Sequence, residues 1–192
     1  MEKQRIGIFA SGTGSNAMNL IRFFEHHPVI EIAFVLSNKS DAKVLVTAKE
    51  AGIQTHCLSN DAVSNSETLI ELCRKERIDW VLLAGYLRKV PDAFIQTYAT
   101  KIINLHPSLL PKYGGKGMYG MYVHQAVVAA NEPRTGITIH YVNEEFDKGE
   151  IIAQFHCPVT PEDTPETVAK KIHTLEQSYL PLVIEATINN RL

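Results

Sequence analysis

Cysteine is scarce in this chain: three in 192 residues, Cys57, Cys73 and Cys157. The number is odd and no two form a Cys-x-x-Cys pair. That excludes a disulfide framework and a ribbon-type zinc site, and it fits a reducing compartment, the cytoplasm. No apolar run approaches the ~20 residues that cross a bilayer, so no membrane partner is expected. The opening Met1-Glu-Lys-Gln-Arg-Ile-Gly-Ile-Phe is too short in apolar residues for a signal peptide. Excess positive charge is also lacking: 19 Lys and Arg stand against 21 Asp and Glu, a net charge of −2. Binding to nucleic acid needs a basic footprint, so nucleic acid is not an expected partner. A small anion needs only a local site and is not excluded. Internal repeats, low-complexity tracts and linker-like stretches are missing too.

What is present is alternation. Hydrophobic residues make up 45% and charged residues 21%, ordinary for a globular domain, and the length suits one domain with a real core. Short β-rich runs at Arg5–Phe9, Ile30–Leu36, Gln54–Leu58, Asp79–Ala84 and Ile102–Leu105 alternate with helical patterns. The helices are expected after Asn16, over Asp41–Ala51, over Ser66–Glu76 and after Pro91. Near-continuous apolar strands alternating with helices predict an α/β fold, a mainly parallel sheet covered on both faces. Leu109–Tyr122, rich in Gly, Pro, Lys and Tyr, reads as a long loop. Gly136–Val142 and Ile151–Val159 read as a late strand pair around the turn Glu145-Phe-Asp-Lys-Gly149. A long C-terminal helix with Pro165 near its start is expected to run towards Ile184 and to bend at Pro181.

Three segments carry chemistry. Gly12-Thr-Gly-Ser-Asn16 joins the first strand to the first helix. Glycines allow a tight turn, and bare N–H groups at a helix start bind anions. The segment is neither a Gly-x-Gly-x-x-Gly fingerprint nor a Walker A loop. It reads equally as a phosphate site and as a plain turn capped by Ser15 or Asn16. Asn104-Leu-His-Pro-Ser-Leu-Leu-Pro111 lies at a strand end, where ligands bind in open α/β sheets. Asn104 and His106 are two apart and share a face of an extended strand. An amide and an imidazole together suit a developing oxyanion; the plain alternative is a polar strand end with His106 satisfied by backbone. No second His or Cys stands at ligand spacing beside His106, so no metal is expected there. Asp147, in the late turn, is either turn chemistry or a carboxylate that meets His106 and raises its pKa. His124 is a minor candidate for ligand contact. His26, His27, His56, His140, His156 and His173 receive no role, and Trp80 reads as core.

In combination, Gly12-Thr-Gly-Ser-Asn16, Asn104-Leu-His-Pro-Ser-Leu-Leu-Pro111 and Asp147-Lys-Gly-Glu-Ile-Ile152 resemble the phosphoribosylglycinamide (GAR) formyltransferases of purine biosynthesis. The match runs in order from about residue 4 to about residue 186. The resemblance implies a Rossmann-like formyltransferase fold: an open, mainly parallel twisted sheet, helices on both faces, and an antiparallel late strand pair. It implies a single domain over 1–192, with a phosphate-binding half at about 1–100 and a folate-binding and catalytic half at about 101–192. It implies transfer of a formyl group from the co-substrate 10-formyltetrahydrofolate to the amine of GAR, with no metal, by a cytoplasmic monomer or weak homodimer.

Carried onto this sequence, the resemblance makes Asn104, His106 and Asp147 the catalytic set. Gly12, Thr13, Gly14, Ser15, Asn16, Lys112 and Glu176 would bind GAR. Tyr86, Leu87, Arg88, Lys89 and Val90, with Val142, Asn143, Glu144, Glu145 and Phe146, would line the folate site. Two features depart from the family. The stretch Asp61–Glu76 is short and lacks an Arg associated with the folate tail carboxylates. The loop Lys112–Val123 is long, a variant lid over GAR. Among related enzymes, methionyl-tRNA formyltransferase needs a further domain to hold tRNA, and formyltetrahydrofolate deformylase, a hydrolase, carries an extra N-terminal one. Neither is expected in a chain of this length and charge. Outside the enzymes, the alternative is a non-catalytic nucleotide-binding module on the same fold.

Overall fold

The structure is a computed structural model that describes residues 2–190. Met1, Arg191 and Leu192, the ends of the expected 1–192 domain, lie outside the described residues. The chain forms two compact units, Met1–Asn104 and Leu105–Leu192.

The first unit runs β1 (Gln4–Phe9), α1 (Ser15–Phe24), β2 (Ile30–Ser37), α2 (Lys43–Glu50), β3 (Gln54–Cys57), α3 (Asn60–Ser64), α4 (Ser66–Lys75), β4 (Trp80–Leu83), α5 (Asp92–Thr97) and into β5 (Ile102–His106). β1 pairs with β2 and β4, β2 with β3, and β4 with β5, all in parallel. The order is therefore β3-β2-β1-β4-β5. Ile6, Ile8, Phe9, Phe34, Val35, Leu36, Val81 and Ile103 are fully or almost fully buried, the double-sided burial that the apolar runs predict. The chain moves outward one way through β2 and β3, then returns to the other side of β1 for β4. Ligands of open α/β sheets bind at the carboxyl ends of strands where the order reverses. Here that place lies beyond Phe9 and Leu83, which pair in register. The segments leaving it are 10–14 and 84–90, which overlap the Gly12–Asn16 and Tyr86–Val90 segments named above.

The last two residues of β5, Leu105 and His106, open the second unit. It continues with α6 (Met121–Ala129), β6 (Arg134–Tyr141), β7 (Ile151–Pro158) and α7 (Pro165–Ile188). β6 and β7 pair antiparallel, as expected, and α7 packs on both strands and on α6. Thr164 caps α7 through a reciprocal capping box, Pro165 opens it, and the helix continues through Pro181.

Two helices were not foreseen. α3 is a short turn whose N-terminus Ser59 caps by accepting from the Ala62 N–H. α6 begins at Met121, inside the segment read as loop. Its sequence, Met-Tyr-Val-His-Gln-Ala-Val-Val-Ala, is apolar on nearly every side, so it lacks the one-sided period by which helices are recognised.

Candidate active site

In the first unit the glycine loop sits at the order reversal. Gly14 is the N-cap of α1, with φ of 80°. That left-handed conformation suits glycine. A Cβ at Gly14 would also stand 2.2 Å from Cγ2 of Val44. The sequence alternative that Ser15 or Asn16 caps α1 is corrected: the cap residue has no side chain, and the first turn contains no acid. The positive end of the helix dipole thus meets no carboxylate from its own first turn, the arrangement that favours an external anion. Gly12, Thr13 and Ser15 are exposed and Asn16 is half-buried.

Ser11, which no motif flagged, ties this loop to the next one. Its Oγ donates to Asn38 Oδ1 at 2.7 Å and accepts from the Leu87 N–H at 3.0 Å, while its N–H donates to the Gly85 carbonyl at 3.1 Å. The segment Tyr86–Val90 is thereby fixed beside the glycine loop. Leu87, Arg88 and Lys89 are exposed, and Val90 is buried. Lys89 pairs with Asp92 at 2.7 Å. Tyr86 packs edge-on to Phe9, and its buried hydroxyl has no hydrogen-bond partner among the described residues; burial pushes the phenol up to about 12. Register places Asn104, the middle residue of β5, opposite Leu83 at the carboxyl end of β4.

In the second unit the structure brings His106 and Asp147 together. Nδ1 of His106 lies 3.5 Å from Oδ2 of Asp147, with the side chains 5% and 13% exposed. Asp147 reaches this position from the β6–β7 turn with φ of 55°, a conformation Asp tolerates better than most residues. Asn143 closes the turn: its side chain accepts from the Glu145 N–H and donates to the Lys148 carbonyl. Gly149 completes it, since a Cβ there would lie 1.7 Å from the Tyr141 carbonyl oxygen. Val142 and Asn143 are half-buried, and Glu144, Glu145 and Phe146 are exposed.

His106 Nε2 lies 2.8 Å from the carbonyl oxygen of Tyr113. A carbonyl only accepts, so Nε2 carries the proton. In the neutral ring Nδ1 then bears the lone pair, and its 3.5 Å separation from Asp147 is longer than a made N–H···O bond. Burial is the largest influence on His106 and pushes its pKa down; Asp147 and the Tyr113 carbonyl raise it, His140 lowers it, and the net direction is down. The expected upward pull of Asp147 exists but loses to desolvation, so the resting ring is neutral at pH 7. Burial pushes the Asp147 carboxyl up, but His140, His106 and the Gly115 N–H together outweigh it and hold the group below its ordinary range. The site thus rests with one ionised carboxylate beside a neutral base.

Sequence reasoning missed several members. Nε2 of the buried His140 lies 3.7 Å from Oδ1 of Asp147, while its Nδ1 donates to the Tyr141 carbonyl at 2.8 Å. The Gly115 N–H donates to Asp147 Oδ2 at 2.8 Å. Thr138 Oγ1 donates to the Ser108 carbonyl at 2.7 Å and accepts from the Leu110 N–H at 3.0 Å and from Gln154 Nε2 at 2.9 Å. That bolts the segment after His106 to the strand pair. The usable signal was two polar residues, Thr138 and His140, on one face of a strand whose other face is Ile137 and Ile139.

Lys112 is exposed and pairs with Glu132 at 2.7 Å. Glu176, on α7, lies 3.6 Å from Nδ1 of His173. His124 is buried in α6, and its Nδ1 has no hydrogen-bond partner among the described residues.

In the second unit, a buried carboxylate–imidazole pair at a strand end is the equipment of an enzyme that moves protons. The chain belongs to the formyl transferase family, whose model matches residues 4–184. Within that family it is similar to phosphoribosylglycinamide formyltransferases. The one from Bacillus subtilis is 35% identical over 195 residues, spanning 98% of this chain and 97% of that one. The one from Arabidopsis thaliana, named as chloroplastic, is 37% identical over 189 residues and 94% of this chain. This chain spans less than two thirds of the plant relatives' length, 64% in the Arabidopsis case. The crystal structure of phosphoribosylglycinamide formyltransferase from Anaplasma phagocytophilum matches with a TM-score of 0.90 and 32% identity, over 98% of this chain and 88% of that one.

Proposed function

We propose that the chain transfers the formyl group of 10-formyltetrahydrofolate to the amine of GAR, giving formyl-GAR and tetrahydrofolate in purine biosynthesis. The observation that carries the reading is the pairing of buried His106 with Asp147, two residues along β5 from Asn104, in a chain of this family.

The chemistry asks for what these residues offer. The formyl group of the folate is an N-aryl formamide, a weak electrophile. Attack by the neutral glycinamide amine forms a C–N bond and leaves a tetrahedral carbon with an oxyanion and an ammonium. Asn104 supplies an amide N–H to the oxygen; losing one such donor costs about 2.7–4 kcal/mol of transition-state stabilisation. The ammonium proton passes to the Asp147–His106 pair and settles on Nδ1 of His106, the basic nitrogen. The resulting imidazolium lies beside Asp147 and offsets the oxyanion. Collapse breaks the bond to the folate nitrogen, which takes that proton as it leaves. No net proton is gained, and the pair returns to its resting state.

In this reading Gly12–Asn16 hold the GAR phosphate, with Lys112 adding charge, and Glu176 holds the sugar and glycinamide end. Tyr86–Val90 and the backbone of Val142–Phe146 contact the folate. The cytoplasm is the proposed compartment, in keeping with three free thiols. Among the described residues no helix is long and apolar enough to cross a membrane.

The test is loss of 10-formyltetrahydrofolate with and without GAR. Loss that requires GAR supports the transferase. Loss without GAR would make the chain a hydrolase, and no loss with GAR bound would make it a binding module.

A further inference from the structure

Beside His106 the backbone takes an unusual course. Tyr113 has φ of 56°, the left-handed region that is unfavourable for a residue with a Cβ. Such a conformation persists only where its surroundings impose it. At one end, the Tyr113 carbonyl accepts from His106 Nε2. Just before it, the Lys112 carbonyl accepts from Oγ of fully buried Ser108 at 2.6 Å. At the other end, the Tyr113 hydroxyl donates to Glu132 Oε1 at 2.9 Å, and the same oxygen accepts from Lys112 Nζ at 2.7 Å. Glu132 lies between α6 and β6 with its side chain 18% exposed. Hydrogen bonds from Lys112 and Tyr113 hold its carboxyl below the ordinary range. Two residues on, Gly115 donates to Asp147. One strained turn therefore supplies backbone partners to both halves of the His106–Asp147 pair, and a single carboxylate holds its side chains from the far side.

We propose that Glu132 is a positioning residue for formyl transfer: by holding the Tyr113 hydroxyl it keeps the Tyr113 carbonyl on Nε2 of His106, which fixes the ring tautomer that leaves Nδ1 basic towards Asp147. This rests on the function proposed above. Without Glu132, Tyr113 relaxes towards negative φ and its peptide plane turns. His106 then loses the acceptor that locks the proton on Nε2. The other tautomer places N–H on Nδ1, where it bonds to the Asp147 carboxylate. A ring in that form carries its lone pair on Nε2, away from Asp147, and Nδ1 can no longer take the amine proton. Lys112 supplies charge to the same carboxylate, and Tyr113 links that carboxylate to the catalytic ring.

The test compares five proteins: wild type, Glu132→Ala, Glu132→Gln, Tyr113→Phe and the Glu132→Ala/Tyr113→Phe double variant. Tyr113→Phe keeps the backbone carbonyl and removes only the hydroxyl. Glu132→Ala and Tyr113→Phe are expected to lower kcat about 10- to 100-fold, the scale of a small misplacement of a reacting group. KM for 10-formyltetrahydrofolate stays within about twofold. The double variant is no slower than the worse single one, because both cut the same link. Glu132→Gln restores most of kcat, since its amide oxygen still accepts from Tyr113. Ring ¹⁵N NMR of His106, assigned by His106→Gln, reads the tautomer directly: proton on Nε2 in wild type and in Glu132→Gln, a growing Nδ1–H population in Glu132→Ala. An unchanged tautomer in Glu132→Ala overturns the proposal. So does a loss of kcat that Glu132→Gln fails to recover, which would mark Glu132 as structural only. If wild type transfers nothing to GAR, the functional reading fails, while the tautomer comparison still decides what Glu132 does to His106.

Discussion

Oδ2 of Asp147 stands 3.5 Å from Nδ1 of His106, and Oδ1 of the same carboxylate faces His140 at 3.7 Å. A carboxylate with a partner on each oxygen is held in place, and the ring it faces is held through its other nitrogen by backbone. The pair is therefore held by the protein's own groups, the preorganisation that electrostatic and proton-transfer catalysis requires.

Acid should weaken both the fold and the reaction. Burial lowers the pKa of His106 and His124 from the ordinary 6.5, and of His56 as well. A histidine that resists charging in the native state lets the unfolded chain bind the proton first. Its contribution is complete above pH 6.5 and is lost as pH falls below 6.5 through the native pKa. Melting temperature should drop between pH 7 and pH 5, and His124→Leu should make the drop shallower. In the proposed mechanism neutral His106 takes the amine proton, so the acid limb of kcat should lie below pH 6.5. A melting temperature that holds or rises on acidification would contradict this.

Gly14→Ala should cost about 2–4 kcal/mol of stability in urea denaturation, from the positive φ and the collision with Val44 together. Adding Val44→Ala removes the 2.2 Å contact with Cγ2 but leaves Cβ of residue 44 at 2.5 Å and the φ penalty, so it should recover only a small part. GAR affinity should fall in both variants, while binding of the unphosphorylated ribosylglycinamide changes little.

Thr138→Val keeps shape and removes one hydroxyl that serves Ser108, Leu110 and Gln154. Leaving buried partners unsatisfied should cost about 2–4 kcal/mol. The urea midpoint reports that loss. A midpoint equal to wild type would mean that the segment after His106 is fixed by other contacts.

Much of this was legible in the sequence because local chemistry marked it. Gly12-Thr-Gly14 between a strand and a helix announced the turn, and the spacing of Asn104 and His106 announced a shared face. Asp147 in a late turn between strands was visible as a pattern, although its meeting with His106 is a matter of tertiary structure. What stayed hidden depends on groups far apart in sequence. His140 looks like one more strand residue until the β6–β7 turn folds Asp147 onto it. Glu132 looks like surface charge until Tyr113 adopts a positive φ. α6 escaped because its apolar residues surround it. The direction of the His106 pKa was misjudged because a neighbouring carboxylate can be read from pattern, whereas desolvation has to be read from packing.

The most direct measurement is the rate of formyl transfer by Asp147→Asn, with GAR affinity measured on the same preparation by calorimetry. Asparagine keeps the shape and removes the charge and the proton acceptor. The account predicts a fall in kcat of about 10²–10⁴-fold, the range of a lost general acid–base group, with GAR affinity within a few-fold of wild type. Turnover that survives, or affinity that falls as far as the rate, would contradict it.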